Sequence, residues 1–250
     1  MQHIFKQDLD NSKLTLLSPN GLECVVYKYG TSVVKLFKTS YPLEHLTLEE
    51  IEYLSKIPTK RILLPTGAVL SENNKVVGYH MPLVTGQKDI QKEKMSNIIN
   101  EMHEIEQDLD LLDKFGVGLM DIGPANSVFN GNLYLIDPGN YLVCDNKPIK
   151  HQLDPQNLCE DDAILLRKWN EIKINKLFDV LLFSKNPDID FSKCREIIQF
   201  FLKENHRINN NYNKEVFIKY FDPNLNVRES VNKFISQHSN EFSNEPNLYE

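Results

Sequence analysis

The sequence predicts an α+β protein in two parts: a small antiparallel β-sheet lobe with one helix over residues 1–84, and a mainly helical lobe over residues 85–250. Three observations carry this reading. Short runs rich in Val, Leu and Tyr, separated by Pro, Asn and Gly, fill the first part like an antiparallel meander. A long stretch of helical period, Lys88–Lys114, opens the second part. Two further apolar runs, joined by a connection containing Asn-Gly, interrupt the helical part at Val128–Ile136.

Taken in order, Leu14–Leu17 reads as a strand, and Ser18-Pro19-Asn20-Gly21 turns the chain. Cys24–Tyr29 reads as a second strand and Ser32–Phe37 as a third, with Gly30-Thr31 turning between them. Lys35 alternates with Val34 and Leu36 and so faces the other side of its strand; taken alone it reads as a lysine on a solvated face. Tyr41–Ile57 has near-helical spacing at Leu46, Leu48, Ile51, Leu54 and Ile57, and Pro58 ends it. Ile62–Pro65, Gly67–Leu70 and Val76–Val84 supply further strands, with Glu72–Lys75 as a turn.

In the second part, Ile98, Ile99, Met102, Ile105, Leu109 and Leu112 fall on one helix face. The acidic run Glu101–Asp113 is expected to be the solvated face of that helix. Val128-Phe129 and Leu133–Ile136 are expected to form a hairpin. Further helices are expected from Asp161 to about Phe183, and over Phe191–Glu204, Asn213–Phe221 and Val227–His238.

Composition bounds the function. Hydrophobic residues at 41% and charged residues at 25% suit a globular protein, and a formal charge of −7 argues against a nucleic-acid partner. No apolar run approaches the ~20 residues of a membrane span. The start, MQHIFKQDLD, lacks the apolar core of a signal peptide, so a cytoplasmic protein is expected. Cys24, Cys144, Cys159 and Cys194 are scattered without metal spacing and are expected to be reduced thiols.

The chemistry concentrates in Gly116–Tyr141. The expected hairpin brings Asn126 and Asp137, at its open end, close together. An amide oxygen and a carboxylate are hard ligands that suit Mg²⁺. Asp121 lies just upstream in a turn-forming Asp-Ile-Gly-Pro stretch, where it is free to meet an incoming hydroxyl as base or orienting group. One carboxylate for a nucleophile and two oxygen donors for a metal are what phosphoryl transfer requires.

These residues carry a resemblance. Asp121-Ile122-Gly123-Pro124-Ala125-Asn126 resembles the D-[LI]-K-P-x-N catalytic loop of the protein-kinase-like superfamily, and Ile136-Asp137-Pro138-Gly139 resembles its I-D-F-G metal motif. The resemblance implies that Asp121 is the catalytic aspartate and that Asn126 and Asp137 are metal ligands. Pro19–Tyr27 sits where the family has its G-x-G-x-x-G-x-V-Y loop, which makes Gly21 and Val26 nucleotide-binding residues. Val33-Val34-Lys35 resembles the strand whose lysine reaches the α- and β-phosphates. Glu50-Ile51-Glu52-Tyr53-Leu54 fits the helix that supplies the lysine's ion-pair partner, with Glu50 in that place and Glu49 and Glu52 as competitors. Gly78–Val84 resembles the last strand and hinge; backbone groups near Met81 and Leu83 would meet adenine, and Tyr79 and Met81 are candidates to guard the pocket. Asp162, with Asp161 and Asp179 as rivals, would brace the catalytic loop. The early runs then complete a bilobal protein-kinase-like fold, whose small lobe has five strands and one helix.

The chain also departs from the family. Leu119-Met120 replaces His-Arg before the catalytic aspartate, Gly123 replaces the lysine of Ser/Thr kinases, and Pro138 replaces the Phe of D-F-G. Only the middle glycine of the loop, Gly21, is kept, and no A-P-E triplet follows Asp137. The implied activity is ATP- and Mg²⁺-dependent phosphoryl transfer to a protein hydroxyl, with a small-molecule hydroxyl as the other acceptor class. The competing expectations are a pseudokinase serving as a nucleotide-binding or scaffold module, and an AMP-transferring enzyme on the same fold.

Overall fold

The structure is a computed structural model that describes residues 3–9, 11–19, 23–38, 46–119, 126–136, 142–143, 180–184, 186–190, 193, 196–197, 200 and 219–242. Gly21, Asp121 and Asp137 lie outside the described residues, as do Pro138, Asp161, Asp162 and Asp179. So do most positions of the helices expected from Asp161 to Phe221.

A mixed α+β architecture is present. The strands β1 (Ile4–Phe5), β2 (Leu14–Ser18), β3 (Cys24–Tyr29), β4 (Ser32–Phe37), β5 (Gly67–Leu70) and β6 (Val76–Pro82) form one sheet in the order β1-β5-β6-β4-β3-β2. The neighbours are antiparallel except β1, which runs parallel to β5. Gly30, at φ +59°, makes the tight β3–β4 turn that a side chain would strain. At the far edge, β2 leaves Leu16 and Leu17 about half exposed.

The strand β1 was not foreseen. Two residues are too few to show the alternation by which a strand is recognised. The run Ile62–Pro65 is a correction in the other direction. All four residues are buried, yet they lie outside the sheet. Instead Ile62 bridges Leu135, the Leu63 N–H donates to the Leu135 carbonyl at 2.9 Å, and the Leu135 N–H donates to the Arg61 carbonyl at 2.8 Å. The run is apolar because it is wedged between sheet and hairpin.

The helix α1 (Leu48–Leu54) is shorter than the expected Tyr41–Ile57. Thr47 starts it: its hydroxyl accepts the Glu50 N–H, and the Glu50 carboxylate accepts the Thr47 N–H, a capping box that satisfies two orphan donors. The helix lies on one face of the sheet, where Ile51 packs with Ala68, Leu70, Tyr79 and Met81. Val34, Val69 and Leu9 fill the other face.

A larger core is organised by α2 (Met95–Lys114). Its apolar stripe of Ile98, Ile99, Met102, Ile105, Leu109 and Leu112 is buried as the spacing predicts. The expectation of a solvated acidic face fails at two positions, because Glu101 and Asp108 are buried. Asp108 accepts the backbone N–H groups of Lys60, Arg61 and Ile62 at 2.6–2.9 Å. Glu101 accepts from the Arg61 guanidinium and from the Leu133 N–H. These two carboxylates give buried backbone donors their acceptors, which is why they can sit inside.

Among the described residues, α2 is followed by β7 (Val117–Gly118), β8 (Ser127–Phe129), β9 (Leu133–Leu135), β10 (Leu142–Val143), a short helical turn at Val180–Ser184 and a helix, α3 (Val227–Phe242). β8 and β9 form the expected hairpin, with Gly131 at φ +119° in its turn. α3 meets the same core through Val227, Val231 and Phe234, so the predicted Val227–His238 helix is present and runs slightly longer.

Candidate functional site

The site is built outward from β4. Val26 pairs with Lys35, Lys35 with Tyr79, and Tyr79 with Ala68, so these four stand in one row across β3, β4, β6 and β5. Residues in register share a face, and Val33 and Phe37, two positions either side of Lys35, pack into the cluster beneath α1. Lys35 therefore faces α1. It is only 4% exposed, which overturns the reading of a lysine on a solvated strand face. Its Nζ lies 5.5 Å from the centre of the Tyr79 ring, within cation–π range.

The hairpin reaches the same place. Tyr134 and Ile136 pack against the cluster of Ile51, Tyr79 and Met81. At its open end the Ile136 N–H donates to the Asn126 carbonyl at 2.9 Å. The structure thus brings Val26, Lys35, Met81 and Ile136 to one sheet face, and joins Asn126 to the strand that ends there. Leu119, two residues before Asp121, is fully buried in the large core.

Two implied roles are met differently. The Glu50 carboxylate accepts from Thr47 N at 2.7 Å and Thr47 Oγ1 at 2.9 Å rather than pairing with Lys35. Its competitor Glu52 lies 3.3 Å from His3 Nε2, and Glu49 is exposed. The T-x-x-E spacing of Thr47 and Glu50 was the sequence signal for this cap. Just past β6, the Leu83 N–H donates to the Thr31 carbonyl at 3.0 Å, which extends the β4–β6 ladder and commits that donor to the protein. Met81 is buried to 1% exposure, so its side chain belongs to the core of the sheet face.

Sequence reasoning also missed how this site is held. Gly78 faces the β4 backbone so closely that a Cβ there would stand 2.1 Å from the Lys35 carbonyl oxygen. Lys88 N–H donates to the Phe129 carbonyl at 2.7 Å, and Asn130 Nδ2 to the Thr85 carbonyl at 3.1 Å, fixing the chain after β6 against the hairpin.

Among the described residues no group of three or more His, Cys, Asp or Glu side chains is arranged to hold a metal ion. Asn126 and Asp137 carry an amide and a carboxylate, oxygen donors of the kind that would suit Mg²⁺. Among the described residues no helix is long and apolar enough to cross a membrane. Searches against protein-family models and against curated proteins gave no match for the chain.

Proposed function

We propose that the chain is an ATP- and Mg²⁺-dependent phosphotransferase with a divergent, bilobal protein-kinase-like fold. The observation that supports this best is the burial of Lys35 on the sheet face reached by Tyr134 and Ile136 of the hairpin. A lysine is rarely kept inside a protein without a charge-bearing task, because its desolvation is costly.

In this reading Lys35 binds the α- and β-phosphates and Val26 covers the nucleotide from β3. Asn126 and Asp137 hold Mg²⁺, which neutralises phosphate charge when bound. Asp121 orients the acceptor hydroxyl and receives its proton. Catalysis is then positioning and charge stabilisation. The acceptor is a protein hydroxyl, or a small-molecule hydroxyl in the second instance.

The Thr47–Glu50 cap favours a second reading. With Glu50 engaged at Thr47, the chain in this conformation suits a nucleotide-binding module without turnover.

Thermal melting with ATP and Mg²⁺, followed by product analysis, tests both readings. Nucleotide at 100 times its dissociation constant stabilises the folded state by about 2.7 kcal/mol. A Mg²⁺-dependent upward shift with transfer of the γ-phosphoryl group is the expected result. A shift without turnover favours the binding module, and transfer of AMP moves the chemistry to the α-phosphorus. No shift at millimolar nucleotide would exclude the nucleotide site.

A further inference from the structure

The contacts of α1 raise a specific question. The Glu50 carboxylate is taken up by Thr47, Glu52 lies against His3, and Glu49 is exposed. On the sheet side, the Tyr79 ring stands directly across the β4–β6 ladder from Lys35, 5.5 Å from its Nζ. The ring is held in place. Tyr79 is 6% exposed, and Phe37, two residues along from Lys35 on the same strand, braces it with ring centres 5.9 Å apart. Ile51 of α1 and Met81 pack in the same cluster. An aromatic face attracts an ammonium group most strongly where water is excluded, as it is here.

From this geometry we infer that Tyr79 is the positioning residue for Lys35, its ring doing for the ammonium group what the Glu50 carboxylate was expected to do. The inference rests on the nucleotide-binding reading of Lys35. An aromatic ring attracts an ammonium group without taking a proton from it or offering it a carboxylate. The ring also fixes the direction of the side chain, since Tyr79 and Lys35 sit on adjacent, hydrogen-bonded strands. Nucleotide affinity should accordingly depend on the aromatic ring at residue 79 and very little on the carboxylate at residue 50.

A double-mutant cycle on the full chain tests this, with the ATP dissociation constant as the readout. Tyr79→Leu should weaken ATP binding about tenfold in the wild-type background, within the usual range of a desolvated cation–π contact. In a Lys35→Met background the same change should weaken it less than about twofold, because Tyr79 acts through Lys35. Tyr79→Phe and Glu50→Gln should each leave affinity within about twofold of wild type. Equal losses from Tyr79→Leu in both backgrounds would show a merely structural role and overturn the inference. So would a large loss with Tyr79→Phe or Glu50→Gln. Should Tyr79→Leu fail to fold, the Tyr79→Phe and Glu50→Gln arms still decide, together with the ¹H–¹³C spectrum of the wild-type protein. There the Lys35 Cε protons should be shifted upfield by the ring, and unshifted signals would overturn the inference. Failure of the underlying reading looks different: wild-type and Lys35→Met chains would then bind ATP equally or not at all.

Discussion

Glu101 and Arg61 form a partly buried ion pair, with Nε 2.5 Å from Oε2 and Nη2 3.0 Å from Oε1, and the same carboxylate accepts the Leu133 N–H at 2.9 Å. One side chain of α2 thereby fixes both the segment after α1 and the start of β9. The hydrogen bonds to Glu101 hold the Arg61 pKa above its already high ordinary value, so the guanidinium stays charged. Glu101→Leu should cost about 1–3 kcal/mol, because it leaves the buried Leu133 N–H without its acceptor and a partly buried guanidinium without its carboxylate. Glu101→Gln, which keeps an acceptor, should cost less. Urea denaturation of the two variants checks the order, and equal costs would remove the pair from the account.

Asp108 takes three consecutive backbone donors, from Lys60, Arg61 and Ile62. Asp108→Ala should cost at least about 2–3 kcal/mol, since each donor left dry carries a desolvation penalty. Asp108→Asn retains one oxygen and should recover part of the loss. Amide hydrogen exchange at residues 60–62 should accelerate in Asp108→Ala before global unfolding does.

Gly78→Ala puts a methyl group 2.1 Å from the Lys35 carbonyl oxygen, so β4 and β6 must part. A stability loss of about 1–3 kcal/mol is expected, the usual range for overpacking. ATP affinity should fall with it, because the displaced residue is Lys35. A calorimetric melt and a binding titration of the same sample would register both.

The surface pair of Asp188 and Arg228 sets an acid response. Hydrogen bonds from Arg228 and Asn232 lower the Asp188 pKa from 3.8 to about 2. A lowered folded-state pKa gives stability that is present above the unfolded value and lost as the pH falls through the folded one. The Tm difference between wild type and Asp188→Asn should therefore be small and constant above about pH 5, and shrink between pH 3.8 and about 2. A difference that grows on acidification would contradict the assignment.

Thr47→Ala should destabilise by about 0.5–2 kcal/mol, the usual cost of losing an N-cap. Circular dichroism during urea unfolding would detect it.

Much of this architecture was legible. The hairpin followed from two apolar runs around Asn130-Gly131-Asn132, and the α2 stripe from its spacing. The buried acids were legible too, but were judged on charge. Glu101, Ile105, Asp108 and Leu112 recur at helical spacing along the apolar stripe, so position already placed both carboxylates inward. The Glu50 role was drawn from the family pattern, while Thr47, three residues earlier, signalled a cap. Two features had no local signal. The parallel pairing of Ile4–Phe5 with Val69–Leu70, and the docking of Ile62 on Leu135, depend on contacts between distant parts of the chain.

The clamp that joins Arg61, Glu101 and Leu133 also orders events in time. A ribosome releases these segments one after another. The six-stranded sheet has all its strands once Pro82 has emerged. The last acceptor–donor match, at Leu133, must wait for a further stretch of translation. Until then Glu101 has Arg61 but lacks its strand partner. A nascent chain stalled between these points should hold a formed sheet beside an unfinished helical core, and chaperones would meet it there.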